Sequence, residues 1–148
     1  MNLLVNKKVN QSYEIIDTFE AGLKLTGSEV KTLRKKHGSL KEAYITVSSE
    51  VFLVGCHLPH YQGAHAIYEN VDTYRPRKLL LNRKQITLLK ERVKQRGLAI
   101  VPLRIYEKGN LIKIEIAVAR GKQKHDKRND LKNRTSKREA ERAIKNTY

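Results

Sequence analysis

Apolar residues recur at every second position from Val101 to Ile105 and again from Ile112 to Val118, and no other property of the chain constrains its fold as tightly. Val101, Leu103 and Ile105 alternate with Pro102, Arg104 and Tyr106, while Ile112, Ile114, Ile116 and Val118 alternate with Lys113, Glu115 and Ala117. A period of two puts one set of side chains on a single sheet face. Lys108-Gly109-Asn110 supplies the turn, so an antiparallel hairpin with one buried face is predicted.

Other strand candidates precede it. Ser12 to Leu25 is rich in β-branched, aromatic and apolar residues and suggests two strands meeting at a turn or bulge near Ala21-Gly22. Further strand is expected over Ala43 to Val47 and Val51 to Leu58, and a short apolar run follows at Lys78 to Leu81. Two helices interrupt this pattern. Thr26 and Glu29 have the spacing of a capping box ahead of Val30 and Leu33, with Gly38 placed to end the helix. Asn82 and Gln85 repeat that spacing ahead of the stripe Ile86, Leu89 and Val93, which Gly97 closes. Residues 59–77 carry two prolines and no sustained period, and are expected to form a long, mobile surface loop. The fold class that results is mainly β: a small closed barrel with short peripheral α-helices.

A chain of 148 residues supports one domain of this kind. Its 31 Lys and Arg against 15 Asp and Glu leave a formal charge of +16, which favours an anionic partner. Charge alone does not choose between nucleic acid and an anionic membrane surface. The N-terminal apolar run is too short for a signal peptide and no window approaches a transmembrane span, so a cytoplasmic protein without membrane association is expected. Cys56, the single cysteine, excludes an internal disulfide.

The positive charge is uneven. Residues 120–148 hold eleven Lys and Arg against four Asp and Glu, 11 − 4 = +7, with few hydrophobic residues to offset the ordering of the backbone. The expectation is a folded domain over 1–119 followed by a flexible basic C-terminal tail. Lys137 with Glu141, and Glu141 with Lys145, have helical spacing, so the tail is expected to be disordered alone and helical on an anionic partner.

Catalytic chemistry finds no support. Cys56, His57, His60 and His65 match no metal-ligand pattern, and Glu14, Asp17, Glu20 and Glu29 form no acid/base motif. No phosphate-binding glycine loop or nucleophile set is present, so neither an enzyme, a metal nor a cofactor is expected, and a metal-dependent nuclease is disfavoured. Lys31, Arg34, Arg75, Arg77, Lys78, Arg120 and Lys122 are candidate phosphate contacts, with Tyr61, Tyr68 or Tyr74 as stacking platforms for bases. Each has a plainer alternative as a solvated charge or a packing residue, and capping alone accounts for Glu29.

Several ordered motifs are recognisable: Asn6-Lys7-Lys8, Tyr13-Glu14-Ile15, Phe19-Glu20-Ala21-Gly22-Leu23, Gly27-Ser28-Glu29-Val30-Lys31-Thr32-Leu33-Arg34, Arg77-Lys78-Leu79-Leu80-Leu81, and Arg120-Gly121-Lys122 through His125-Asp126-Lys127-Arg128. In order along nearly the whole chain, they resemble the SsrA-binding protein (small protein B) family. The resemblance implies a closed oligonucleotide-binding-like barrel that binds the tRNA-like domain of transfer-messenger RNA. It implies delivery of that RNA to stalled ribosomes for trans-translation, with elongation factor Tu engaged through the charged RNA and the protein acting as a monomer. The residues implied for transfer-messenger RNA are Asn6, Lys7, Glu29, Lys31, Arg34, Lys78, Leu79, Arg120, Lys122 and Lys124, with Leu79 open to a second reading as core. His125, Asp126, Lys127, Arg128, Lys132, Arg134, Lys137 and Arg138 are implied to bind the ribosome, the tail entering the decoding centre and a vacant mRNA channel. A structural ribosomal protein is the alternative reading.

Overall fold

The computed structural model describes residues 1–60 and 72–122. In chain order the elements are β1 (Asn2–Val5), α1 (Val9–Ser12), β2 (Tyr13–Leu23), α2 (Gly27–Arg34), β3 (Tyr44–Val47), β4 (Val51–Val54), β5 (Arg77–Leu80), α3 (Arg83–Lys94), β6 (Leu98–Lys108) and β7 (Leu111–Gly121). The strands form one antiparallel sheet of seven, ordered β1-β6-β7-β2-β5-β4-β3. Its centre includes the predicted hairpin, closed by the Lys108–Leu111 pair around Gly109 at φ +62°. Alternation becomes burial for Ile105, Ile114, Ile116 and Val118, which share the inner face with Ala21, Ile45, Val51, Leu53 and Leu79. The register shift between Pro102 and Arg104 turns Val101 to the other face, against the single buried face expected. Leu33 of α2 and Leu89 of α3 complete that core, each such side chain contributing about 1.5–3 kcal/mol by leaving water.

Both predicted capping boxes form. Thr26 and Asn82 accept the backbone N–H groups of Glu29 and Gln85, and those side chains return a bond to the cap N–H. The predicted ending of the first helix needs correction. α2 stops before Gly38: the N–H of Lys36 bonds Leu33 O at 2.8 Å and that of His37 bonds Thr32 O at 3.2 Å, with Lys36 at φ +60°. These are the two bonds of a Schellman ending. Gly38, at φ +126°, instead lets the chain pass the His57 bridge, since a Cβ there would stand 2.8 Å from His57 O and 2.9 Å from Leu58 Cδ2. Gly38→Ala is therefore expected to cost about 1–3 kcal/mol, read as a lowered denaturant midpoint. An unchanged midpoint would contradict this role.

The expected closed barrel is also corrected, because the hydrogen-bonded ladder is open, with β1 and β3 at its edges. Those edge strands have four residues each whereas β2, β6 and β7 have eleven, too little backbone to complete a ring. The sheet curls so that β3 comes against β6, and α3 packs on both; side chains close the core where hydrogen bonds do not.

The expected break at Ala21-Gly22 does not occur. β2 runs through it, and the register slips between Ile15 and Asp17. Gly22 is the point where β2 pairs with Lys113 on one side and Leu80 on the other, and a Cβ on it would lie 3.2 Å from Leu80 Cβ.

β1 and α1 carry no sequence signal, being four residues each and below the length at which periodicity speaks. β4 ends at Val54, before the expected Leu58, and β7 extends to Gly121, two residues past the expected domain boundary. Of the expected mobile loop, residues 61–71 lie outside the described residues. The described remainder is fastened, with Leu58 N–H on Thr73 O at 3.0 Å, Tyr74 N–H on Asp72 Oδ1 at 2.9 Å, and Arg77 already in β5. Among the described residues no helix is long and apolar enough to cross a membrane.

Candidate nucleic-acid interface

The same alternation that buries one face of the sheet builds the other. Arg104 and Tyr106 of β6 stand opposite Glu115 and Lys113 of β7, which in turn face Glu20 and Gly22 of β2; Gly22 faces Leu80 of β5. Arg104 stacks its guanidinium 4.1 Å from the Tyr106 ring centroid and approaches Glu115 at 3.6 Å. The Tyr106 hydroxyl donates to Glu20, which also meets Lys108 at 3.5 Å. That hydroxyl bond, more than the nearby lysines, holds the Glu20 carboxyl below the usual carboxylate range, while burial and the Glu20 bond push Tyr106 up to about 12. Lys78 pairs with Glu50 at 3.1 Å. Much of the cationic charge here is thus matched by carboxylates. The apolar feature is Leu80, 54% exposed above the bare Gly22 and beside an open groove toward α3 lined by Ile86, Arg83 and Lys90.

A different balance holds at the end of the sheet covered by α1. Val9 packs there on Val101, Ala117 and Ala119, with Tyr13 and Leu103 beside them. Asn6 fixes the entry to α1: its side-chain amide donates to Pro102 O at 3.1 Å and its N–H to Leu103 O at 2.8 Å. Lys122 fixes the exit from β7, its N–H on Ser12 O at 2.9 Å and its Nζ on Asn10 O at 3.1 Å. Two adjoining clefts run past α1 and share Asn6, Lys8 and Lys41; one adds Lys7, the other Tyr13 and Tyr44. Lys7, Lys8 and Lys41 make no ion pair with any described residue, and Tyr44 leaves half its surface to solvent. Unmatched cations beside an exposed ring suit a polyanion with bases to stack.

Glu29 belongs to neither surface. It is 7% exposed, and Oε1 accepts the Thr26 N–H at 2.9 Å as well as the Arg75 guanidinium, while Oε2 accepts Arg77 Nε at 2.6 Å. Arg77, 1% exposed, donates further to Cys56 O at 2.5 Å and Thr73 O at 3.0 Å. Burial pushes the Glu29 carboxyl up, but the Thr26 N–H and the two guanidinium groups outweigh it and hold the group below its ordinary value. The result is a buried ion triad fastening the start of α2 to the start of β5. Burial pushes the Cys56 thiol beside it up to about 11, which keeps it protonated and inert.

The structure therefore does not gather the expected site residues into one patch. Asn6, Lys7 and Lys122 meet at α1, with Arg120 exposed at the end of β7 opposite Glu14. Lys31 and Arg34 lie on the exposed side of α2, where Arg34 reaches Glu107 at 3.4 Å, and Lys78 is on the outer sheet face. Leu79 is core at 1% exposure, the second of its two readings. Of the other candidates, Arg75 and Arg77 turn inward to Glu29, and Tyr74 stacks on His57 at 4.6 Å between ring centroids. Tyr61, His65, Tyr68, Lys124, His125, Asp126, Lys127, Arg128, Lys132, Arg134, Lys137 and Arg138 lie outside the described residues. Lys41 and Tyr44 are additions that lie outside every motif of the sequence, while Lys8, Tyr13 and Leu80 lie within motifs but are not among the expected site residues. For Leu80 the apolar run Leu79-Leu80-Leu81 hides the strand alternation; Lys41 follows the long-range Ser39–His57 bridge and Tyr44 pairs with Val54 of β4, neither of which local sequence carries. Among the described residues no group of three or more His, Cys, Asp or Glu is arranged to hold a metal ion.

Comparison with known proteins adds a second line. A family model described as SmpB protein matches residues 3–146. The chain is 46% identical over 140 residues to the SsrA-binding protein of Oleidesulfovibrio alaskensis, covering 94% of this chain and 89% of that one. It is equally 46% identical to the SsrA-binding protein of Mycobacterium leprae, over 94% and 86% of the two chains. A solved chain from "tmRNA-SmpB: a journey to the center of the bacterial ribosome" superposes with a TM-score of 0.68 at 35% identity, covering 84% of this chain and 87% of that one.

Proposed function

The chain belongs to the SmpB family of SsrA-binding proteins, and from that membership we propose that it binds the tRNA-like domain of transfer-messenger RNA and delivers it to stalled ribosomes in trans-translation. The observation that carries this reading is the agreement of sequence and fold with that family over most of the chain. The curl of the sheet supports a relation to oligonucleotide-binding barrels. The protein acts by binding, without a covalent step, as a monomer in the cytoplasm, and elongation factor Tu joins through the charged RNA. Capture on the folded protein from a bacterial lysate, with sequencing of the retained RNA, tests the reading: transfer-messenger RNA should dominate, and its absence would refute it.

Within the folded part, we assign the phosphate contacts to Lys7, Lys8 and Lys41, which make no ion pair with any described residue, together with Arg120 and Lys122 near the same end of the sheet. Removing one phosphate-binding cation takes roughly 0.9 from the slope of log affinity against log salt on duplex-like RNA. Lys8→Ala with Lys41→Ala is expected to weaken binding at low salt and flatten that slope by about 1.8. A double variant with the wild-type slope would remove the cleft from the interface.

The basic segment from His125 onward is assigned the ribosomal role. A polycation that becomes ordered along an RNA-lined channel fits only when no message occupies it, so binding of the tail reports vacancy. His125, Lys127 and Arg128 would engage the decoding centre, with Asp126 orienting its cationic neighbours, and Lys132, Arg134, Lys137 and Arg138 the channel.

A further inference from the structure

Lys36 is the one non-glycine residue with positive φ among the described residues, at +60°. It occupies the position past α2 where the Schellman bonds close, and there a Cβ is crowded by the neighbouring carbonyl, so glycine is the usual occupant. Charge makes the choice of lysine costlier. Lys31, Arg34 and Lys35 precede it within the same turns, so the favourable interaction of cations with the carbonyl end of the helix is already supplied. The exposed Lys36 side chain makes no hydrogen bond or ion pair with the described residues. A cation at a left-handed backbone position, with no hydrogen-bond or ion-pair partner among the described residues, is available to an external anion.

We propose that Lys36 is a phosphate-contacting residue that seats the C-terminal end of α2 on the backbone of a structured RNA. This rests on the functional reading above, and two RNAs offer that backbone: transfer-messenger RNA and ribosomal RNA. Binding of the whole chain to the tRNA-like domain of transfer-messenger RNA and to purified ribosomal subunits, each across a range of salt, distinguishes them for Lys36→Gly, Lys36→Asn and Lys36→Arg. Gly and Asn tolerate the left-handed conformation and should raise Tm by roughly 2–5 °C, whereas Arg should not. Toward one of the two RNAs, the Gly and Asn variants should bind several-fold more weakly with a slope smaller by about 0.9, and Arg should bind as wild type. A Lys36→Gly protein that binds both RNAs like wild type at every salt, or that gains no thermal stability, overturns the proposal. Wild-type protein that binds the subunits and not transfer-messenger RNA would overturn the functional reading alone, with Lys36 still judged on the subunits; binding to neither would overturn both.

Discussion

Replacing Glu29 by Ala is expected to destabilise the folded chain by about 3–5 kcal/mol, because it strands a buried guanidinium. Arg77 is 1% exposed and keeps its bonds to Cys56 O and Thr73 O, but loses the carboxylate that neutralises it. The N-cap of α2 loses its reciprocal bond in the same step. Arg75→Ala should cost less, its side chain being 32% exposed. The acid side follows from sign. The folded Glu29 carboxyl lies below its ordinary value of 4.5, so its stabilisation is present above that pH and is lost as pH falls through the lower folded value. Glu29→Gln should therefore flatten the loss of Tm between neutral and strongly acid solution. RNA affinity separates this fastening role from direct contact. Glu29→Gln measured well below its melting temperature should bind RNA like wild type, and a large loss of affinity in the folded variant would restore Glu29 to the interface.

Deleting residues 130–148 is expected to abolish tagging on stalled ribosomes while leaving affinity for the tRNA-like domain nearly intact. The deletion removes six Lys and Arg and three Asp and Glu, 6 − 3 = +3 of the formal +16, so most of the charge that attracts RNA stays with the folded part. On the proposed division the tail is ordered by the RNA lining of a vacant channel, so the affinity of the folded part for the tRNA-like domain should owe little to residues 130–148. Tagging that survives the deletion, or RNA affinity that collapses with it, would contradict this division of labour. A circular dichroism spectrum of the 130–148 peptide adds a check: helix is expected with RNA and not in buffer alone.

How legible the fold is in the sequence depends on the range of the interactions that set it. The β6–β7 hairpin and both capping boxes are local, written in spacings of two and three residues, and all three form. The partners of Glu29 lie 46 and 48 residues away, so its spacing to Thr26 exposes the cap and conceals the ion triad. Leu79, Leu80 and Leu81 form an unbroken apolar run that hides the period of two. Only the buried Arg77, in phase with Leu79, reveals that Leu80 faces outward. An open ladder rather than a closed barrel turns on two edge strands of four residues, one of them in an N-terminal stretch too brief to show alternation. The clefts at α1 need three segments brought together from residues 4–13, 38–44 and 101, and so only part of the lining is visible in the sequence.

The folded part is proposed to recognise a tRNA-shaped RNA rather than RNA charge in general. Equilibrium binding at physiological salt, comparing the tRNA-like domain of transfer-messenger RNA with an unrelated duplex of equal length, tests it directly. The tRNA-like domain should bind at least about tenfold more tightly, a difference of about 1.4 kcal/mol. Equal affinity for the two would contradict the account.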